Sequence, residues 1–272
     1  MRENLAYLKK RRSALKFLIR TPKRKFTKDR FHLLRVELKK LKAILLRMEF
    51  LLPDFDRKKF YKPFRKLFAQ AGKVREIQIE KEILRSYGVL EQIPEYVLLL
   101  NKKIQKERVR FFNVRTLALN SKIEKRLKVL RRNVRKVSQI DSGPFLANLI
   151  GEIKSLLATG ILEEQSAHLL RKKLKNLKYN LESLQDEKMV NRHPEQEELV
   201  NLLGTWHDLV TVQRTLLSDI FELPVKEEEK ESLQRITGTI QSDSERIFKE
   251  INQKIPLFDD FILPPKLKSS QD

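Results

Sequence analysis

His32, Arg35, Lys39 and Lys42 stand at spacings of three, four and three, and His168, Arg171, Lys175 and Lys178 repeat those types and spacings. Arginine forks and lysine point charges are the side chains that hold phosphate oxygens. On a helix rising ~1.5 Å per residue such a set makes a ladder ~15 Å long. A ladder of that length suits an extended row of phosphates better than one small anion. Two ladders could face each other across a groove. Lys172 adds a further cation to the second one. The histidines bring hydrogen-bond donors that hold an anion more strongly once protonated. Anion binding is therefore expected to tighten modestly as pH falls toward ~6, near the range where an unperturbed imidazole titrates.

The spacing recurs because the surrounding sequence does. Residues 32–42 and 168–178 agree at eight of eleven positions, at an offset of 136 in a chain of 272 residues. A shared segment at half the chain length marks an internal duplication. The shared residues are one His, three cations and four Leu. At ~100° per residue the His and the cations fall in a stripe roughly 80° wide. Leu34, Leu38, Leu41 and Leu45 form a separate stripe, as do Leu170, Leu174, Leu177 and Leu181. One face should pack and another should present charge. A shorter pair, Gly72 to Ile77 and Gly204 to Leu209, supports the duplication. Each has a Gly, two residues, then Arg75 or His207 followed by an acid, Glu76 or Asp208. Arg75 and His207 could donate to phosphate. The acids would repel it and are expected to orient a cation or close a helix contact. Gly72 and Gly204 are expected to let helices approach closely.

Net charge is +22 and the isoelectric point is about 10.1. Solubility asks only for a charge of roughly 2–8, so a polyanionic partner is implied: nucleic acid, an anionic membrane surface or another polyphosphate. The charge is lopsided. Residues 1–136 hold 41 Lys and Arg against 13 Asp and Glu, whereas residues 137–272 hold 17 against 23. Five of those 17 lie between Arg171 and Lys178. A net-acidic half that keeps a cationic stripe where the motif returns argues against a merely solvated face.

The remaining composition sets the frame. An apolar content of 40% can build a core, and seven glycines amid abundant Leu, Lys, Glu and Arg predict an all-α chain. No cysteine means no disulfide framework and no thiolate zinc site. No apolar run is long enough to cross a membrane, and the first residues carry no apolar signal region. Prolines and glycines divide the chain into helices expected near 3–19, 28–52, 57–87 and 94–137, then a short one ending at Ala158, and others over about 160–186, 194–223 and 225–255. Asp141-Ser142-Gly143-Pro144 separates residues 1–140 from 141–272. That reading gives four helices per half, joined by short connections as in antiparallel bundles, with a tail from Leu263.

Catalytic signals are missing. Neither His32 nor His168 has a second ligand at i+3 or i+4, so no metal is expected. No Gly-rich nucleotide loop accompanies the histidines, so neither a cofactor nor a phosphohistidine mechanism is expected.

The His-x-x-Arg-x-x-x-Lys-x-x-Lys segments, Tyr179 after the second, and the Gly-x-x-Arg-acid and Gly-x-x-His-Asp segments resemble the CHAD family, all-α domains named for their histidines. The resemblance covers nearly the whole chain in order. It implies two four-helix bundles related by pseudo-symmetry around a basic central pore. It also implies inorganic polyphosphate as ligand and a cytoplasmic place at polyphosphate granules. By position, His32, Arg35, Lys39 and Lys42 would line one wall and His168, Arg171, Lys175 and Lys178 the other, with Arg75 and His207 flanking. Lys40 matches a basic family position that Asn176 does not keep, and Glu76 replaces the more usual Asp. The Glu-x-Glu-x-Lys motif of the triphosphate-processing domain often fused to this family is absent, so a non-catalytic binder is expected. Two rivals remain. A nucleic-acid-binding helical protein would use Arg131 to Lys136 as its best contact region. A phosphohydrolase or phosphotransferase would need a metal cluster or a nucleophile–base pair.

Overall fold

The computed structural model describes residues 2–158, 160–184, 194–222 and 224–258, and among them it is all-α. The tail from Leu263 and the end of the second motif helix beyond residue 184 lie outside the described residues. Nine α-helices occur among the described residues: α1 (Arg2–Arg20), α2 (Lys28–Leu51), α3 (Arg57–Ser86), α4 (Pro94–Val114), α5 (Leu117–Val137), α6 (Gly143–Leu157), α7 (Glu164–Leu184), α8 (Pro194–Glu222) and α9 (Glu227–Lys254).

The ends follow local chemistry. Asp56 caps α3 by accepting from the Lys59 amide at 2.8 Å. Gly88, at φ 71°, ends α3 in the left-handed region that disfavours a side chain. The single helix expected over 94–137 is instead two. Arg115 leaves helical geometry, and Thr116 starts α5 by accepting from the Leu119 amide. Threonine is a helix-starting residue by this bond, and no proline or glycine advertises the break. The elbow is pinned: Arg115 donates to the Thr21 carbonyl at 2.7 Å and lies over the rings of Phe26, Phe111 and Phe112.

Two apolar cores form. The first gathers residues of α1, α2, the front of α3 and α5, including Leu34, Leu38, Leu41 and Leu45, with Phe111 from the end of α4. The second gathers α6 to α9, including Leu170, Leu174, Leu177 and Leu181. Helices α3 and α4 serve both: Leu84, Tyr96 and Leu100 belong to the second core. The two leucine stripes read from the repeat thus go to different cores, which leaves α2 and α7 to pack against each other through their remaining faces.

A buried polar network fixes α4 to the second core. The Tyr96 hydroxyl lies 2.5 Å from Glu80 Oε1 and 2.8 Å from Asp219 Oδ2, and Lys103 Nζ reaches the same Asp219 oxygen at 2.6 Å. One hydroxyl has one proton to give. Burial pushes the Glu80 carboxyl up to about 7. Glu80 can therefore keep its proton and donate to the tyrosine oxygen while Tyr96 donates to Asp219. Glu229, also buried, accepts from the amides of Glu95 and Tyr96 at 2.8 and 3.0 Å, closing the N-terminus of α4.

Candidate functional site

Helices α2 and α7 pack against each other, with α3 and α8 packed alongside, and cations of the two motifs lie near enough to act on one another electrostatically. Lys39 of α2 and Lys175 of α7 hold equivalent positions of the repeat, and Lys175 is near enough to Lys39 to repel its charge. Burial holds the Lys39 amine down to about 8, helped by repulsion from Lys175, Arg35 and Arg171. Burial, with repulsion from Arg171 and Lys178, does the same to Lys175, also to about 8. Desolvation likewise pulls down the guanidinium groups of Arg35 and Arg171. Asp208 is the one acid of the α8 motif near these cations. Burial raises its carboxyl, while Arg171, Lys175, Lys39 and Arg75 pull it back.

Ion pairs do not neutralise this centre. Among the described residues, Lys39, Lys175 and Arg171 have no carboxylate within 4 Å, and Arg171 Nε is buried without a hydrogen-bond partner. Buried or half-buried cations are ordinarily paired. An unpaired set confronting itself across two helices is what an exogenous anion would relieve.

Arg35 is held more firmly. Its guanidinium lies over the Phe68 ring, 4.5 Å from the centroid, and donates to the Phe68 carbonyl at 3.2 Å. It also fills the place of a side chain at Gly72, since a Cβ there would collide with Arg35 Nη1. The glycine expected to permit close helix approach thus seats an arginine instead. Gly204 has open space where a Cβ would stand, so no such need exists in the second copy. Tyr61, whose buried hydroxyl has no partner among the described residues, lies near enough to Arg35 to influence it electrostatically.

The outer residues are placed differently. Lys42 lies near Arg57 and Lys172. Lys178 pairs with Glu197 at 2.9 Å at the exposed end of the ladder. Lys40 pairs with Glu182 at 2.7 Å and sits over the Tyr179 ring, occupied by its own contacts. Arg75, expected to donate to phosphate, spends its fork on Glu82 at 2.7 and 3.1 Å, and Glu82 also takes Lys28. Beside Arg75 and Asp208 opens a cleft of about 390 Å³ between α3, α8 and α9, bordered further by Glu82, Asp243 and Arg246. Its acids do not continue the ladder.

The histidines form a structure of their own. His207 Nδ1 and His168 Nδ1 are 3.1 Å apart with rings near perpendicular, so one must donate and the other accept. Two imidazolium ions cannot share that contact. Burial, Arg171 and His168 push His207 down to about 4, and burial lowers His168 and His32 as well. In the anion-free protein these imidazoles do not supply charge near neutrality. The expected tightening toward pH 6 therefore rests on the ligand restoring protons against this arrangement, and Lys39 and Lys175 become the groups that titrate near working pH. Trp206, tilted against His168 and stacked on Phe248, buttresses the pair.

Glu82, Phe68 and Tyr61 shape the site and carried no signal in the sequence, because nothing in their spacing marks the partners the fold gives them. Among the described residues no group of three or more His, Asp or Glu is arranged to hold a metal, and no helix is long and apolar enough to cross a membrane. In comparisons with known proteins, the family model described as CHAD domain matches residues 7–217. No curated protein matches the chain significantly.

Proposed function

The chain belongs to the CHAD domain family, and from that membership and the unpaired cations of α2 and α7 we propose that it binds inorganic polyphosphate between its two cores. The observation that carries the reading is the Lys39–Lys175 confrontation. Two amines of the repeat, half-buried beside Arg35 and Arg171, have no carboxylate within ion-pair distance among the described residues. Phosphate oxygens arriving in a row would satisfy several of these cations at once, with charge-assisted bonds contributing about 1.5–3 kcal/mol each. Arg35, Lys39, Arg171 and Lys175 are assigned the central contacts. His32, Lys42, His168, Lys172 and Lys178 would extend them along the chain, and Arg75 and His207 would shape the wall.

In this reading the protein is a binder rather than a catalyst. The converging groups are cations, and a metal-assisted attack on a phosphoanhydride would want carboxylates in their place. Association with polyphosphate granules follows from the same ligand. The test is a calorimetric titration with polyphosphates of graded length, run on the native protein and on Lys39→Gln/Lys175→Gln. Affinity should rise with length until the ladder is spanned, and the variant should bind more weakly at every length. Equal binding by both proteins would overturn the site. Phosphate release from polyphosphate with added divalent metal would overturn the non-catalytic reading.

A further inference from the structure

Helix α5 carries eight Lys and Arg in 21 residues and a single acid, Glu124. That acid is already bonded to Arg20 at 2.6 Å. Ile123, Leu127, Leu130, Val134 and Val137 are buried in the first core. The opposite half of the helix, bearing Lys125, Lys128, Arg131, Arg132, Arg135 and Lys136, is exposed. None of these six has an ion pair among the described residues. The surface continues beyond the helix. Lys9 and Arg12 of α1 join Arg131 around a hollow of about 490 Å³. At the other end the exposed Lys23-Arg24-Lys25 turn lies close by, since Arg115 at the start of α5 holds the Thr21 carbonyl.

This surface is not part of the site between the cores. Helix α5 packs on α1, α2 and α3, and meets α2 through the leucine stripe that lines the first core. The cations of α2 that face α7 lie on a different side of that helix. The first core therefore stands between the two positive regions.

We propose that the exposed face of α5, with its α1 flank, is a second polyanion surface that binds double-stranded nucleic acid through its phosphates without reading sequence. The shape argues for a duplex. The ladders of α2 and α7 are narrow and half-buried, whereas the six exposed α5 cations spread over roughly 140° of the helix at ~100° per residue and run for about 16 Å along it at ~1.5 Å per residue. A duplex offers a broad target of two strands, with a charge per ~1.7 Å of axis. Single strands are bound by aromatic platforms, and this face has none. A membrane surface would need an apolar face to insert. The apolar face of α5 is taken by the core, and the exposed large apolar residues of the helix are two and far apart, Val129 among the cations at 43% exposed and Leu117 at the first position at 87%.

The test compares Lys125→Gln/Lys128→Gln/Arg132→Gln/Arg135→Gln with Arg171→Gln/Lys175→Gln. The readouts are fluorescence anisotropy on a labelled duplex of about one to three helical turns, co-sedimentation with phosphatidylglycerol vesicles, polyphosphate calorimetry, and far-UV circular dichroism to confirm folding. The substitutions on α5 are all at exposed positions and should leave the helix intact. The α5 variant should bind duplex at least tenfold more weakly. Its slope of log affinity against log salt should be shallower by ~0.9 for each phosphate that the substituted cations no longer neutralise. Its polyphosphate binding should persist, and the Arg171/Lys175 variant should keep duplex binding. Duplex binding that ignores the α5 substitutions, or that falls equally in both variants, would overturn the proposal. So would binding of phosphatidylglycerol vesicles without binding of duplex. Because the two variants are read on two ligands, failure here and failure of the polyphosphate reading are told apart.

Discussion

Raising pH from 7 to 9 should weaken polyphosphate binding through Lys39 and Lys175. Both amines are held near 8 in the anion-free protein. A polyanion between the cores favours their charged forms and returns them toward the ordinary lysine range of ~10.4. At pH 8 each free amine is about half protonated, so the pair takes up about one proton as the complex forms. Linkage fixes the sign: a complex that takes up protons weakens as protons become scarce. If the amines titrate independently, each contributes about tenfold between pH 7 and 9, or roughly a hundredfold together. They face one another, however, and loss of one proton eases the second amine, so the pair should behave as coupled sites. The coupled limit is about tenfold. The assay is calorimetry at pH 8 in two buffers of different ionisation enthalpy, with long chains so that terminal phosphates contribute little. Lys39→Arg/Lys175→Arg keeps both charges and removes both titrations, and its affinity should be nearly flat with pH. Absence of proton uptake in the native protein, or the same pH profile in the arginine variant, would refute the reasoning.

The same groups set the remaining expectations. Without ligand, thermal stability should rise from pH 8 toward 10: unfolding restores the lysine protons in that window, so the unfolded state is the proton-rich one. Lys39→Met/Lys175→Met should flatten that rise in a melting series. Gly72→Ala should displace the Arg35 guanidinium from its seat against α3, lowering polyphosphate affinity severalfold with a melting temperature changed by only a few degrees. Gly204→Ala, with open space at that Cβ inside a helix, should leave polyphosphate affinity unchanged and raise the melting temperature slightly. Polyphosphate affinity should fall linearly on a log–log plot against salt, and Arg171→Gln should make the slope shallower by about one phosphate's worth, by analogy with nucleic acids. A salt-independent affinity would remove the electrostatic basis of the site.

How much of this was legible depended on how local each cause was. The leucine stripes, the motif helices, the stop at Gly88 and the start at Pro94 follow from spacing and turn chemistry within a few residues, and they appear where expected. The break at Arg115 was hidden, because a threonine cap inside a basic, leucine-bearing run looks like more helix. The meeting of Lys39 with Lys175 could be suspected from the repeat, since equivalent stripes left over from packing have little else to face. The engagement of Arg75 by Glu82 is seven residues away on the same helix, yet nothing in the spacing chooses it over a phosphate. The His168–His207 pair joins two motifs whose histidines looked like separate donors. Its geometry, not its composition, removes the second proton.

Helices α3 and α4 pass from one core to the other, and that has a consequence for cutting the chain. Leu84, Tyr96 and Leu100 are parts of the second core although they precede residue 141. A fragment ending near residue 140 would carry away the lid of its neighbour and leave Tyr96 without Asp219. The remainder would keep a hollow where three large side chains and the Glu80 carboxyl belonged. The halves are thus laced rather than hinged, and neither should be a small protein in its own right. Expressed together from separate reading frames, they should find each other as complementing fragments, with α3 and α4 as the stitches that set their relative pose.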